Sequence, residues 1–90
     1  MLKPRYSSQS KKDVRLARRR GRDLAKLEAV VKMLCEETSL PEACKDHPLT
    51  GKYVTFRDCH IEPDWILIYQ KREAELVLVL ARTGSPADLF

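Results

Sequence analysis

Three glycines and three cysteines in 90 residues are too few for several kinds of protein. Gly21, Gly51 and Gly84 are scattered, so no glycine-rich loop is available to cradle a nucleotide phosphate. Cys35, Cys44 and Cys59 leave one thiol unpaired under any pairing, which argues against a disulfide scaffold and fits a reducing compartment. Cys44, His47, Cys59 and His60 are metal-ligand types, but no pair has the spacing of a structural zinc site. Adjacent Cys59 and His60 would also point to opposite faces of a strand. Long apolar runs are missing too: the longest, Leu76–Ala81, has six residues, against about 20 needed to cross a bilayer. The opening Met1-Leu2-Lys3-Pro4-Arg5 lacks the apolar stretch of a secretion signal. The expectation is a cytoplasmic protein with no membrane segment, no metal and no cofactor.

With 43% hydrophobic and 33% charged residues, the chain is too apolar to be disordered and too short for two cores. It reads as a single domain over residues 1–90, with a radius of gyration of about 12 Å and any active site at its surface. The net charge of +4 hides an asymmetry. Residues 1–26 hold ten Lys/Arg against Asp13 and Asp23, a balance of +8; residues 27–90 hold seven Lys/Arg against eleven Asp/Glu, or −4. The positive field is concentrated on Lys11, Lys12, Arg15, Arg18, Arg19, Arg20 and Arg22, and few acidic i,i+4 partners offset it. Such a field attracts a polyanion, more at low salt than at high.

Residues 2–6 read as a short strand confined to an edge by Pro4. A serine at 7, 8 or 10 caps a helix ending near Arg20, with Gly21 as its stop. Leu24, Leu27, Val31 and Leu34, widened by Val30, give the stripe of a second helix lying on a core, so the two form a hairpin. Pro41 and Pro48 make residues 38–51 a long loop. Strands are then expected over Tyr53–Phe56, Arg57–Glu62, Trp65–Gln70 and Glu75–Ala81, with a turn at Lys71–Ala74 and the apolar ending Leu89-Phe90 packing back. The predicted class is α+β, an N-terminal helical hairpin packed on an antiparallel sheet whose other face is open to water.

Alternation puts Asp58, His60 and Glu62 on one face of their strand and Arg57, Cys59 and Ile61 on the other. With Cys59 and Ile61 inward, His60 points to the open face. There it can meet His47 from the loop, Asp64 from the next turn and Arg82 from the end of the last strand. Two imidazoles, a carboxylate and a guanidinium suit RNA cleavage by the ribose 2′-OH, which needs a base, an acid and a cation on the phosphate. Trp65 or Tyr53 is placed to stack a splayed base. Plainer roles exist for each: a solvated histidine, a turn-forming Asp64, a core Trp65, an Arg82 that bonds a carbonyl. Spacing alone leaves both sets open.

The run Lys45-Asp46-His47-Pro48-Leu49-Thr50-Gly51, the segment His60-Ile61-Glu62-Pro63-Asp64-Trp65, the motif Arg82-Thr83-Gly84-Ser85 and the ending Leu89-Phe90 together resemble the YafQ toxins of the RelE/ParE superfamily. The resemblance implies a RelE-like β-α-α-β-β-β fold. It also implies a type II toxin–antitoxin toxin that enters the ribosome and cleaves mRNA, neutralised by a DinJ-like ribbon-helix-helix antitoxin and reaching operator DNA only through that complex. By position, His47, His60 and Asp64 match catalytic residues, Arg82 the phosphate-contacting arginine, and Phe90 the C-terminal aromatic. Trp65 joins Arg82 and Phe90 as a substrate contact, and the basic helices would touch ribosomal RNA. One position departs: Pro86 stands where close members carry a proton-transferring histidine, so weak cleavage with intact folding and antitoxin binding is expected. Two alternatives remain, a ParE-like toxin that binds gyrase without catalysis and a plain RNA-binding module.

Overall fold

The computed structural model describes residues 1–90. Strand β1 (Lys3–Tyr6) leads into α1 (Ser8–Arg19), which Ser7 caps by accepting the Ser10 N–H at 3.0 Å. Gly21, at φ 80°, ends that helix in the left-handed region that a side chain would strain. Asp23 then caps α2 (Leu24–Cys35) through the Ala25 N–H at 3.0 Å. After a loop come β2 (His47–Pro48), β3 (Arg57–Glu62), β4 (Trp65–Arg72), β5 (Val77–Gly84) and the short α3 (Pro86–Leu89). The radius of gyration, 12.1 Å, agrees with the length-based expectation. No helix is long and apolar enough to cross a membrane.

The sheet order is β1-β5-β4-β3-β2, with β1 at an edge as Pro4 requires. The expected all-antiparallel sheet is corrected to a mixed one, because β1 runs parallel to β5. The hairpin α1–α2 is a crossover long enough to bring the chain back in the parallel sense at β3, and two antiparallel turns through β4 then lay β5 parallel beside β1. Its apolar stripe, Leu27, Val30, Val31 and Leu34, packs with Cys59, Trp65, Leu67, Tyr69, Leu78 and Leu80 into the main core.

Four strand boundaries are also corrected. Tyr53–Phe56 is not a strand: residues 51–53 form a 3₁₀ turn, and Tyr53 and Phe56 meet edge to face, centroids 6.0 Å apart. The strand signal there came from residues whose rings cover Ile66, Ile68 and Leu89 on the face away from the helices, so that face is partly roofed. β4 runs on to Arg72, the turn is Glu73–Leu76 with Leu76 at φ 56°, and β5 continues to Gly84. Of the two terminal apolar residues Leu89 is buried and Phe90 is 66% exposed.

Candidate active site

β3 carries the site because its register aligns polar side chains on the face opposite α1 and α2. Asp58 pairs with Ile68 and His60 with Ile66, and β2 adds His47 directly opposite Asp58. His47, expected on a loop, thus sits on a two-residue strand. Beyond β4, Arg82 pairs with Ile68 and Gly84 with Ile66. One row therefore runs His47, Asp58, Ile68, Arg82, with His60 two residues along β3, about 7 Å from Asp58. At ordinary strand spacing Arg82 lies about 10 Å across the sheet from Asp58.

The His47 ring nitrogen Nδ1 lies 2.7 Å from the Lys45 carbonyl and His60 Nδ1 lies 3.1 Å from the Pro63 carbonyl. A carbonyl only accepts, so each Nδ1 carries the proton and each Nε2 is left to exchange protons with a ligand. Asp58 sits beneath them, 3% exposed, its Oδ1 3.2 Å from His47 Nδ1. That contact is within ion-pair range but lacks hydrogen-bond alignment, since the N–H is aimed at Lys45, and Oδ1 has no other donor. Burial raises the Asp58 carboxyl above its ordinary value, opposed by the neighbouring imidazoles. Sequence alternation had placed Asp58 on this face; what marked it as part of the site was its burial, which pattern does not reveal.

Other expected members are placed differently. A bulge between His60 and Glu62 brings Glu62 opposite Trp65, on the helix side, where Lys26 (2.8 Å) and Arg22 (3.5 Å) hold it. Asp64 is exposed and its carboxylate is 3.4 Å from Arg22, with no hydrogen bond to either imidazole. Trp65 is fully buried, its indole N–H donating to Thr83 Oγ1 at 2.8 Å, so it cannot stack a base. Tyr53, half-buried on the roof of the open face, keeps that role available. Arg82 does not bond a carbonyl; it forks onto the Asp13 carboxylate at 2.8 and 3.2 Å. Pro86 is exposed at the first position of α3, where its fixed φ and missing N–H suit a helix start. The Ser85–Asp88 capping box completes that helix, and Arg20 pairs with Asp88 at 2.7 Å, holding its carboxyl down at about 2.

The basic hairpin divides accordingly. Arg20 and Arg22 are bound internally, Arg22 also lying 5.2 Å over the Trp65 ring. Lys11, Lys12, Arg15, Arg18 and Arg19 are exposed and form no ion pair. Lys11, Arg15 and Arg18 rim a groove of about 330 Å3 between α1 and α2, floored by Val14, Leu24 and Leu27. No three His, Cys, Asp or Glu side chains converge as a metal cage.

Fold and site together define a class: a small α+β protein with two imidazoles on the open face of its sheet and, at the end of β5, a guanidinium held by α1. Residues 2–90 match the family described as the bacterial toxin of type II toxin-antitoxin system, YafQ, and the chain belongs to that family. It is 46% identical over 86 residues to the mRNA interferase toxin YafQ of Escherichia coli (strain K12), covering 94% of this chain and 91% of that protein. The crystal structure of YafQ from E. coli strain BL21(DE3) superposes with a TM-score of 0.90 at 43% identity, over 100% of this chain and 99% of that one. The toxin in the E. coli DinJ-YafQ toxin-antitoxin complex gives 0.87 at 43% identity, over 99% and 97%.

Proposed function

We propose that this chain is the toxin of a type II toxin–antitoxin pair, a cytoplasmic endoribonuclease that cleaves ribosome-bound mRNA and is neutralised by a DinJ-like ribbon-helix-helix antitoxin. The observation that carries the chemistry is the pair of imidazoles with Nδ1 tied to carbonyls and Nε2 bonded to no protein group. In the reaction one Nε2 takes the ribose 2′-OH proton as the 2′ oxygen bonds phosphorus. The P–O5′ bond breaks, and an imidazolium gives its proton to the leaving 5′ oxygen. Each such proton transfer is typically worth about 10²–10⁴ in rate. Buried Asp58 places a carboxylate beside the imidazole that takes up the proton, and Arg82 neutralises charge developing on the phosphate. Tyr53 and the exposed Phe90 offer rings to unstacked bases. Asp64 acts from the edge of the site, and a direct role requires it to leave Arg22.

Pro86 supplies no titratable group at the end of β5, so the chain as written cleaves weakly while folding and binding antitoxin normally. Expression of Pro86→His beside the original chain tests this. The variant should arrest growth and give transcript cuts in primer extension, with the original giving few. Equal arrest by both refutes the attenuation, and DNA breaks without transcript cuts would instead mark a gyrase-directed toxin.

A further inference from the structure

Asp13 is the most heavily bonded carboxylate in the molecule and lies outside the site just described. On α1 and only 8% exposed, it accepts four hydrogen bonds. Its Oδ2 takes Arg82 Nε at 2.8 Å and the Thr83 N–H at 3.1 Å. Its Oδ1 takes Arg82 Nη2 at 3.2 Å and Gln9 Nε2 at 3.1 Å. We propose that Asp13 is a positioning residue for RNA, holding Arg82 by one edge of its guanidinium so that the other edge meets the scissile phosphate. The proposal rests on the reading of Arg82 as the phosphate contact.

A guanidinium offers two forked edges, one formed by Nε and Nη2 and one by Nη1 and Nη2. Asp13 occupies the first and leaves Nη1 outside that fork, on a side chain still 27% exposed and close enough to Tyr53 for the two to interact. The carboxylate is itself fixed, by the Thr83 backbone on one oxygen and by Gln9, one helical turn earlier, on the other. Both supports belong to rigid elements, so Arg82 meets its ligand with its rotamer already chosen instead of losing that freedom on binding. Arg20 and Arg22, by contrast, are tied to Asp88, Glu62 and Asp64, all more exposed than Asp13.

A simpler role for Asp13 makes the opposite prediction. If it merely neutralised Arg82, removing its charge would free the cation and tighten RNA binding. The test measures affinity for ribosomes programmed with an mRNA whose A-site codon is 2′-deoxy and so cannot be cleaved, at a temperature far below every variant's melting point. Arg82→Ala should weaken binding about tenfold, the size of a lost charge-assisted contact. Asp13→Asn should weaken it similarly, Asp13→Glu less, and Asp13→Asn with Arg82→Ala no more than Arg82→Ala alone. No effect of Arg82→Ala sinks the phosphate reading itself. If Arg82→Ala weakens binding while Asp13→Asn binds as the original or tighter, positioning is overturned. Additive losses in the double variant overturn it as well, since Asp13 would then act through the fold and not through Arg82. Asp13→Glu keeps the charge with its carboxylate displaced, so it decides the matter should Asp13→Asn fold poorly: unchanged affinity overturns positioning.

Discussion

At neutral pH Asp58 is a buried charge whose Oδ1 has no donor, a state that water would solvate better. Its carboxyl is raised in the folded chain above the ordinary 3.8. The stability this group contributes is therefore full below 3.8 and is lost as pH rises through the raised folded value. Asp58→Asn, which needs no proton to be neutral, should melt higher than the original chain at pH 7, and the difference should close at pH below 3.8. Cleavage by the Pro86→His chain should fall when Asp58→Asn is added, because the imidazolium loses its counter-charge. A lower melting temperature at pH 7 would show that the site depends on Asp58 for structure instead. His47, His60 and Arg82 could be read in the sequence as candidates because their chemistry is carried by residue type. The loss of Trp65 could not, since an apolar strand end looks the same whether its ring faces solvent or Thr83.

Among the elements, α3 depends most on a few contacts. Gly84 lets it approach β5 closely: a Cβ there would lie 3.1 Å from Asp88 Oδ2 and 3.4 Å from Leu89 Cδ2. The Arg20–Asp88 pair and the capping box then hold its start. Because the Asp88 carboxyl is lowered to about 2, its contribution is present above 3.8 and is lost as pH falls through about 2. The Leu89 methyl resonances should stay at their docked positions at pH 4 and shift as pH approaches 2. Asp88→Asn should show the undocked shifts already at pH 7, and unchanged resonances in that variant would refute the latch. The helices, β1 and β3 were legible because caps, apolar stripes and alternation are local signals. The parallel pairing of β1 and the 3₁₀ turn at 51–53 were not, because both are decided by partners distant in sequence.

Across the whole molecule the charge asymmetry survives folding only in part. Five of the seven basic residues singled out on the hairpin remain unpaired; Arg20 and Arg22 are spent on internal pairs. If Lys11, Arg15 and Arg18 each contact a phosphate, replacing all three by Ala should lower the slope of log affinity against log salt by about 2, at about 0.7 per single-strand contact. An unchanged slope would assign that face to something other than RNA. Composition could give the sign and place of this field, but not which guanidinia the fold itself would consume.

The extra residue at the His60/Glu62 bulge has an electrostatic consequence for any nucleic acid approaching the sheet. In an unbroken strand the Glu62 carboxylate would stand beside His60, repelling each incoming phosphate. With the register slipped by one, that repulsion is moved behind the sheet and neutralised by Lys26 and Arg22. Deleting Ile61 would remove the bulge yet leave Glu62 opposite Trp65 and next to His60 in the alternation, so the carboxylate would stay behind the sheet and the strand's approach would stay open.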